Sequence, residues 1–481
     1  MTLTPPGATR VTSAPVGRLR RAVTAPGAVA VLAQVWQAAG SFAIQVLAAH
    51  LLGASGLALV SLCFGVIVMA TALSSGVVGD SLTVLDARDA VIRGGLTAWL
   101  LVLALAGALV GALGMGLTGT LSPLATLAFA AALLAFMVED IVRRAHMALL
   151  RFGSLLLIDT VALLGALLVV AVGAATGVLS VTTFLLALTG GQAAGALLGW
   201  LLLPRADRPL AARELAGGAA WTAGLRTVGA FGLWRGAQVT LTPAIQTAAR
   251  IVVVAVLGAS VLGHLEAGRI YMAPAMLAVQ GFGSYLFATY ARRADAPLSE
   301  LTRLAGRSAA VLSLGALALG GLAVVLVPVL GPVVSGASFA IDRVVVLGWA
   351  SVAAATAWLQ PFASLAATRG AQRRVFAIRL VDAVAAPAAL WVGLAWLGLP
   401  GEVMPFVLAA GLVLAGALVR LLVLAPLMRA ADGSAGDART PGDTTSPGAA
   451  RSRHDAQAPG DAQAPDDAQT QVPRGVAAPT P

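Results

Sequence analysis

The sequence predicts an all-α, polytopic membrane protein of about twelve transmembrane helices, arranged as two related six-helix lobes. Three observations carry this expectation. Of 481 residues, 59% are hydrophobic and 11% are charged, with a mean hydropathy of +0.90; a soluble domain carries about 25% charged residues. Apolar runs of roughly 18–25 residues recur along the chain, each long enough to cross about 30 Å of hydrocarbon as a helix. The connections between them alternate in charge. The alternating amphipathic strands of a transmembrane barrel are absent from the sequence.

Taken in order, the spans lie near 29–50, 56–79, 94–117, 122–142, 155–175, 179–203, 231–256, 264–290, 307–330, 344–366, 376–398 and 403–427. Connections near 51–55, 118–121, 176–178 and 399–402 contain no Arg, whereas those near 80–93, 143–154, 204–230, 291–306 and 367–375 all do. Arg343 alone breaks this alternation. The positive-inside rule then places both termini in the cytoplasm of a multi-pass protein. The net charge of +10, carried entirely by Arg because the chain has no Lys, reads as topology and not as nucleic-acid binding.

The expected organisation is a cytoplasmic N-terminal tail (1–28), a first lobe (29–203), a cytoplasmic linker (204–230), a second lobe (231–427) and a disordered cytoplasmic tail (428–481). Arg10, Arg18, Arg20 and Arg21 precede a full-length apolar run without a clear small-residue cleavage site, so the first helix is expected to be retained. The last segment is rich in Pro, Ala, Gly, Asp and Gln and repeats "DAQAP" at 455–459 and 461–465. It has too little apolar surface to fold, and reads as a spacer or as a partner-binding tail. Cys63 is the only cysteine, and His50, His146, His264 and His454 have no ligand spacing, so no intramolecular disulfide, metal or cofactor is expected.

The lobes look related. "LGAS" occurs at 52–55 and at 257–260, a shift of 257 − 52 = 205, which also aligns Gly76 with Gly281 and Arg88 with Arg293. The pattern R-x7-D-x-V occurs at Arg151/Asp159 and at Arg374/Asp382, a shift of 374 − 151 = 223. Chance matching in Ala/Leu/Gly/Val-rich sequence is the competing reading. With six helices per repeat, the copies would be parallel, related by an axis along the membrane normal.

This organisation, with "LLGASGLALVSL", "VLGASVLGHLEAGRIYMAP", "RRAHMALLRFGSLLLIDTV" and "LVPVLGPVVSGASFA" after spans one, seven, four and nine, resembles the multidrug/oligosaccharidyl-lipid/polysaccharide (MOP) exporter superfamily. The likeness covers residues 29–427 and is closest to the bacterial polysaccharide flippases. It implies a MATE-like fold, a location in the bacterial cytoplasmic membrane, and a cargo consisting of a glycan on a polyprenyl pyrophosphate. It is a likeness of topology with loose local motifs, so it speaks more to fold than to substrate.

The residues themselves add a polar stripe on the seventh span. Arg235, Gln238, Thr242, Gln246 and Arg250 are spaced 3, 4, 4 and 4, which places them on one helical face. Facing lipid would be costly, so the stripe should meet protein or a watery cavity. The shift of 205 carries Thr242, Gln246 and Arg250 onto Gln37, Ser41 and Gln45 of the first span. The expectation is therefore a central cavity between the lobes lined by both stripes; interhelical hydrogen bonding is the alternative. Arg250 is placed toward the outer leaflet and Arg235 near the inner face, where snorkelling competes with a cavity role. Two guanidinium stations would suit an anionic ligand, because the planar fork binds phosphate bidentately.

Glu266 and Arg269 on the eighth span are i,i+3 neighbours that can pair near its outer end, either as cavity residues or as an interfacial ion pair. Pro243, Pro274 and Pro387 offer points of bending. Asp80, Glu139, Asp159 and Asp382 are assigned to cytoplasmic helix ends, with Asp159 and Asp382 bracing Arg151 and Arg374.

The favoured function is a flippase moving a lipid-linked oligosaccharide from the inner to the outer leaflet by alternating access. Its expected partners are that glycan lipid, membrane lipids and glycan-assembly enzymes, with no nucleic acid, and the chain is expected to be a monomer. A coupling ion, Na+ or H+, stays open; no acidic residue stands clearly at mid-depth, which argues against a proton relay. A multidrug exporter of the same fold is the first alternative, although arginines suit an anion better than a cationic drug. A membrane enzyme of glycan assembly is the second. It is disfavoured by outer loops that are short and poor in titratable groups. The nucleotide-binding glycine patterns are also absent, so ATP is not the direct energy source.

Overall fold

The computed structural model describes residues 26–85, 89–205, 208, 219–293, 296–336 and 338–430. Among them no strand occurs, and the order of helices is α1 (Pro26–Ser74), continued by a π-turn (Ser75–Gly79) and a short α2 (Asp80–Val84); α3 (Ala90–Leu117); α4 (Pro123–Ala148); α5 (Phe152–Ala175); α6 (Val181–Leu202); α7 (Ala219–Leu257); α8 (Ala259–Arg292); α9 (Leu298–Ser335); α10 (Arg343–Thr368); α11 (Gln372–Ala395); and α12 (Val403–Leu418), continued by a π-turn (Val419–Leu424). Local chemistry sets many of these ends. Asp89, Ser122, Ser180 and Asp342 each accept a backbone N–H in the first turn of the helix that follows, and Pro123 opens α4 where its missing N–H costs nothing.

Ten of the described helices are long and apolar enough to cross a membrane. The first of these, Leu32–Leu82, has 51 residues, about 75 Å of helix, which is more than two bilayer thicknesses. It bends at Gly53 and supplies two passes. Helix α8, 34 residues long, is not among the ten; it is the segment carrying Glu266 and Arg269. Counted this way, the described chain offers twelve membrane-length segments. The large apolar side chains left on its outside, such as Leu105, Val110, Leu168, Val311, Val325 and Val384, are where lipid tails would lie.

Gly53 has φ 67° and ψ −169°, and Gly258 has φ 88° and ψ 169°. Positive φ with extended ψ is accessible essentially only to glycine. These two glycines are the second residue and its counterpart in the two "LGAS" motifs, so the shift of 205 is visible in the backbone as well as in the letters. At each, the chain turns sharply from one membrane segment into the next.

Within the first half, α5 packs on α6, α6 on α4, and α1 against α4 and α5; within the second, α10 packs on α8, α9 and α12, and α11 on α7. Contacts between the halves run through α1 with α7 and α8, and through α3 with α7. Glycines permit this closeness: a Cβ at Gly76 would come within 2.7 Å of the backbone N of Gly236, and one at Gly95 within 2.7 Å of the Cα of Gly224.

Two boundaries differ from expectation. Helix α7 begins at Ala219 instead of near 231, because the Gly- and Arg-containing stretch before Trp234 is too polar to read as a span yet continues the same helix. The last membrane segment continues to Ala430. The N-terminal tail to residue 25, the centre of the linker (206, 207 and 209–218) and the tail from 431 onward lie outside the described residues.

Candidate functional site

The polar residues singled out in the sequence fall into three places. The first is a buried cluster joining the halves. Arg250 of α7 donates from Nε to Glu266 Oε1 of α8 at 2.8 Å, and Arg269 donates from Nε to Glu266 Oε2 at 2.6 Å. Arg269 also donates from Nη2 to Oε1 of Gln45, on the first pass of α1. Glu266 is 0% exposed and Arg250 is 6% exposed. The glycine at Gly65, on the second pass of α1, leaves room for the guanidinium: a Cβ there would lie 2.8 Å from Arg250 Nη1. Two cations thus share one carboxylate, a cluster with one excess positive charge that is neutralised in part by the Gln45 carbonyl dipole. A charge pair taken out of water is held only where hydrogen bonds satisfy it, and removing one member is costly.

This corrects the expectation for Arg250. It is not an open anion station, because its side chain is buried against Glu266 and Gly65. The interfacial reading of Glu266 and Arg269 is likewise replaced: Glu266 is buried, and the half-buried Arg269 reaches across to Gln45 of the other half.

The second place is a cavity of about 60 Å³ in the first half, lined by Gln37, Ser41 and Gln45 of α1 together with Glu139 of α4, Asp159 of α5 and Gln192 of α6. It has room for only a few waters. Arg143 of α4 lies behind it. Its Nε is 3.1 Å from Asp159 Oδ1 and 3.5 Å from Glu139 Oε1, and its Nη2 donates to Asp159 Oδ2 at 3.3 Å. Glu139 is 4% and Asp159 8% exposed, so both are buried inside the helix bundle, not at solvent-facing helix ends. The partner of Asp159 is Arg143, not Arg151. Eight residues along α5 separate Arg151 from Asp159 by about 12 Å, whereas the neighbouring helix delivers Arg143 at the right depth.

The third place is a cavity of about 500 Å³ in the second half, lined by Arg235, Gln238 and Thr242 of α7, Gly283 and Phe287 of α8, Gln360 and Ser364 of α10, and Gln372, Phe376 and Arg379 of α11. Its volume is that of ordinary small-molecule sites, which span about 300–1,000 Å³. Arg235, whose side chain is 46% exposed, donates from Nε to Asp80 Oδ2 of α2 at 2.6 Å. Arg379 pairs with Asp382 one turn on, and its Nη2 reaches Thr242 Oγ1 at 3.4 Å. Here too the partner of the aspartate is not the arginine eight residues earlier, Arg374. Trp234 and Phe376 meet in a tilted arrangement, ring centroids 4.7 Å apart, beside this cavity.

The two polar stripes therefore do not line one central cavity. Gln37, Ser41 and Gln45 face the interior of the first half; Arg235, Gln238 and Thr242 face that of the second; Arg250, Glu266, Arg269 and Gln45 meet between them. Gln246 is half-buried and lines neither of these cavities. The residues that sequence reading missed are Arg379, Gln360 and Arg143; for Arg379 a signal existed, since it lies three residues before Asp382 on one face of α11.

The chain is thus a helical membrane bundle with an internally repeated turn and a polar cavity in each half. No family model and no curated protein matches the chain. Solved structures do match, among them MATE transporters. An inward-facing multidrug-resistance MATE family transporter of the MOP superfamily is similar over 83% of this chain and 96% of its own, with a TM-score of 0.62 and 12% identity. An outward-facing one has a TM-score of 0.54 and 12% identity over 86% and 98%. A eukaryotic MATE transporter has a TM-score of 0.55 and 13% identity over 88% and 99%. The fold of this chain is thus the MATE fold.

Proposed function

We propose that this protein is a membrane transporter that flips a lipid-linked oligosaccharide, carried on a polyprenyl pyrophosphate, from the inner to the outer leaflet of a bacterial cytoplasmic membrane by alternating access. The observation that carries this reading is the cavity of about 500 Å³ in the second half, where Arg235 and Arg379 approach from two helices amid amide and hydroxyl side chains. Guanidinium groups stay charged in a membrane and bind phosphate through paired N–H donors. Amides and hydroxyls such as Gln238, Gln360 and Ser364 are the groups that bind sugar hydroxyls. The Arg250–Glu266–Arg269–Gln45 cluster then acts as a latch between the halves: it holds while its end of the bundle is closed and must part when that end opens. The protein does no covalent chemistry on its cargo.

A second reading, export of cationic compounds, is favoured by Glu139 and Asp159 lining the cavity of the first half, and by the multidrug transporters that share the fold. The volume of about 60 Å³ weighs against it, because a drug-sized cation needs several times that space. The deciding experiment reconstitutes the protein in proteoliposomes and follows two cargoes, a polyprenyl-pyrophosphate oligosaccharide and a cationic dye. The flippase reading expects the first to move and R235Q/R379Q to slow it at least ten-fold. Movement of the dye alone, unaffected by R235Q/R379Q, would establish the second reading instead.

A further inference from the structure

We propose that the groove between α4 and α6 binds one acyl chain of an anionic glycerophospholipid of the surrounding bilayer, whose phosphate is held by Arg151 and Arg208. The groove has a volume of about 360 Å³ and is almost wholly apolar, bounded by Leu134, Val138 and Val142 on α4 and by Ala196, Leu197 and Trp200 on α6. The two helices run in the same direction, since Thr189 donates to the carbonyl of Ala128 near one end and His146 contacts the carbonyl of Gly199 near the other. Eight residues of α4, from Leu134 to Val142, give the groove a length of about 12 Å, suited to a stretch of hydrocarbon chain. The small residues Ala193 and Ala196 open it on the α6 side, and Leu197 is left largely exposed beside it.

What distinguishes this groove from other apolar surface is the charge at its end. Arg208 lies over the Trp200 ring with its guanidinium carbon 4.2 Å from the centroid, and Trp200 itself lines the groove. Arg208 donates from Nε to the carbonyl of Leu203 at 3.1 Å and from Nη2 to that of Leu201 at 3.4 Å. Arg151 donates from Nη1 to the carbonyl of Leu202 at 2.9 Å. The last carbonyls of α6 thus orient two guanidinium groups, and among the described residues neither has a carboxylate in salt-bridge range. A guanidinium has five N–H donors, and the carbonyls at a helix C-terminus offset its full charge only in part. Two such cations at the mouth of a dry, lipid-side groove complement a ligand with an anionic head and an apolar tail. The indole at the junction of apolar and polar surface fits the same level of the bilayer.

The inference is independent of the cargo. It is tested on full-length protein in nanodiscs made with equal amounts of dioleoyl phosphatidylglycerol and dioleoyl phosphatidylcholine, re-extracted into mild detergent, with the retained lipid identified by native mass spectrometry. Phosphatidylglycerol is expected to be retained in preference to phosphatidylcholine. R151Q/R208Q is expected to lower that preference at least about ten-fold, the equivalent of losing one charge-assisted contact. A193F, which fills the groove from an exposed position and leaves both arginines in place, is expected to lower phosphatidylglycerol retention as well. Equal retention of the two lipids by the unaltered protein would overturn the proposal. So would an A193F protein, folded by its thermal transition, that keeps phosphatidylglycerol as well as the unaltered one does.

Discussion

Gln37 and Thr242 occupy matched positions at the shift of 205, yet Gln37 faces a cavity of about 60 Å³ and Thr242 one of about 500 Å³. The backbones around them share a design, with Gly53 and Gly258 turning the chain in the same sparsely populated conformation. The charges differ. In the first half, Glu139 and Asp159 converge on the single Arg143, so the small cavity is bounded by more carboxylate than guanidinium. In the second half, Arg235 and Arg379 reach the cavity wall, each with one carboxylate partner, Asp80 and Asp382. A repeated scaffold therefore does not fix what each half binds. Volume and charge are set by the few side chains that project inward from it, and the proposed anion site rests on those of the second half.

Five substitutions break or sharpen this contrast. The largest effect is expected at the seam between the halves: Glu266→Ala leaves the buried Arg250 and the half-buried Arg269 without their carboxylate and should cost about 3–5 kcal/mol, read as a lowered thermal transition of the purified protein. A variant as stable as the unaltered protein would mean that the cluster does not hold the seam. Arg379→Gln comes next; loss of a charged hydrogen-bonding group from the larger cavity should weaken binding of a polyprenyl pyrophosphate by about 1.5–3 kcal/mol, ten-fold or more, in a titration on nanodiscs. Gly53→Ala and Gly258→Ala should each destabilise by about 1–3 kcal/mol. A Cβ at either position meets nothing within 4 Å, so the cost arises from the backbone alone and should be similar at the two. A large difference between them, measured as unfolding midpoints, would break the equivalence of the two turns. The smallest effect belongs to Gln37→Ala, which should change pyrophosphate binding less than about two-fold because its cavity is the other one.

Much of the fold was legible because a bilayer leaves few solutions: apolar length, arginine-bearing connections and the "LGAS" repeat all report local chain properties. The polar stripe on α7 was legible for the same reason, since spacing of three and four is a property of one helix. Which partner each stripe residue meets was not. Arg250 reaches Glu266 only because α8 folds back beside α7, and Gln45 joins them only because the first pass of α1 packs there. The stripe was divided between two environments, cavity at Arg235 and seam at Arg250, because the residues lie about 22 Å apart along one helix. The pattern R-x7-D suggested the wrong partners for Asp159 and Asp382, since a repeated spacing marks equivalent positions and not contact.

The central claim is that the cavity of the second half binds the anionic head of the cargo. The most direct test measures the affinity of a polyprenyl pyrophosphate for the unaltered protein, for Gln37→Ala/Ser41→Ala and for Arg235→Gln/Arg379→Gln, all in neutral-lipid nanodiscs of the same composition. The account predicts near-equal affinity for the first two and at least a ten-fold loss for the third. Equal affinity for all three, or a loss confined to the Gln37/Ser41 variant, would contradict it.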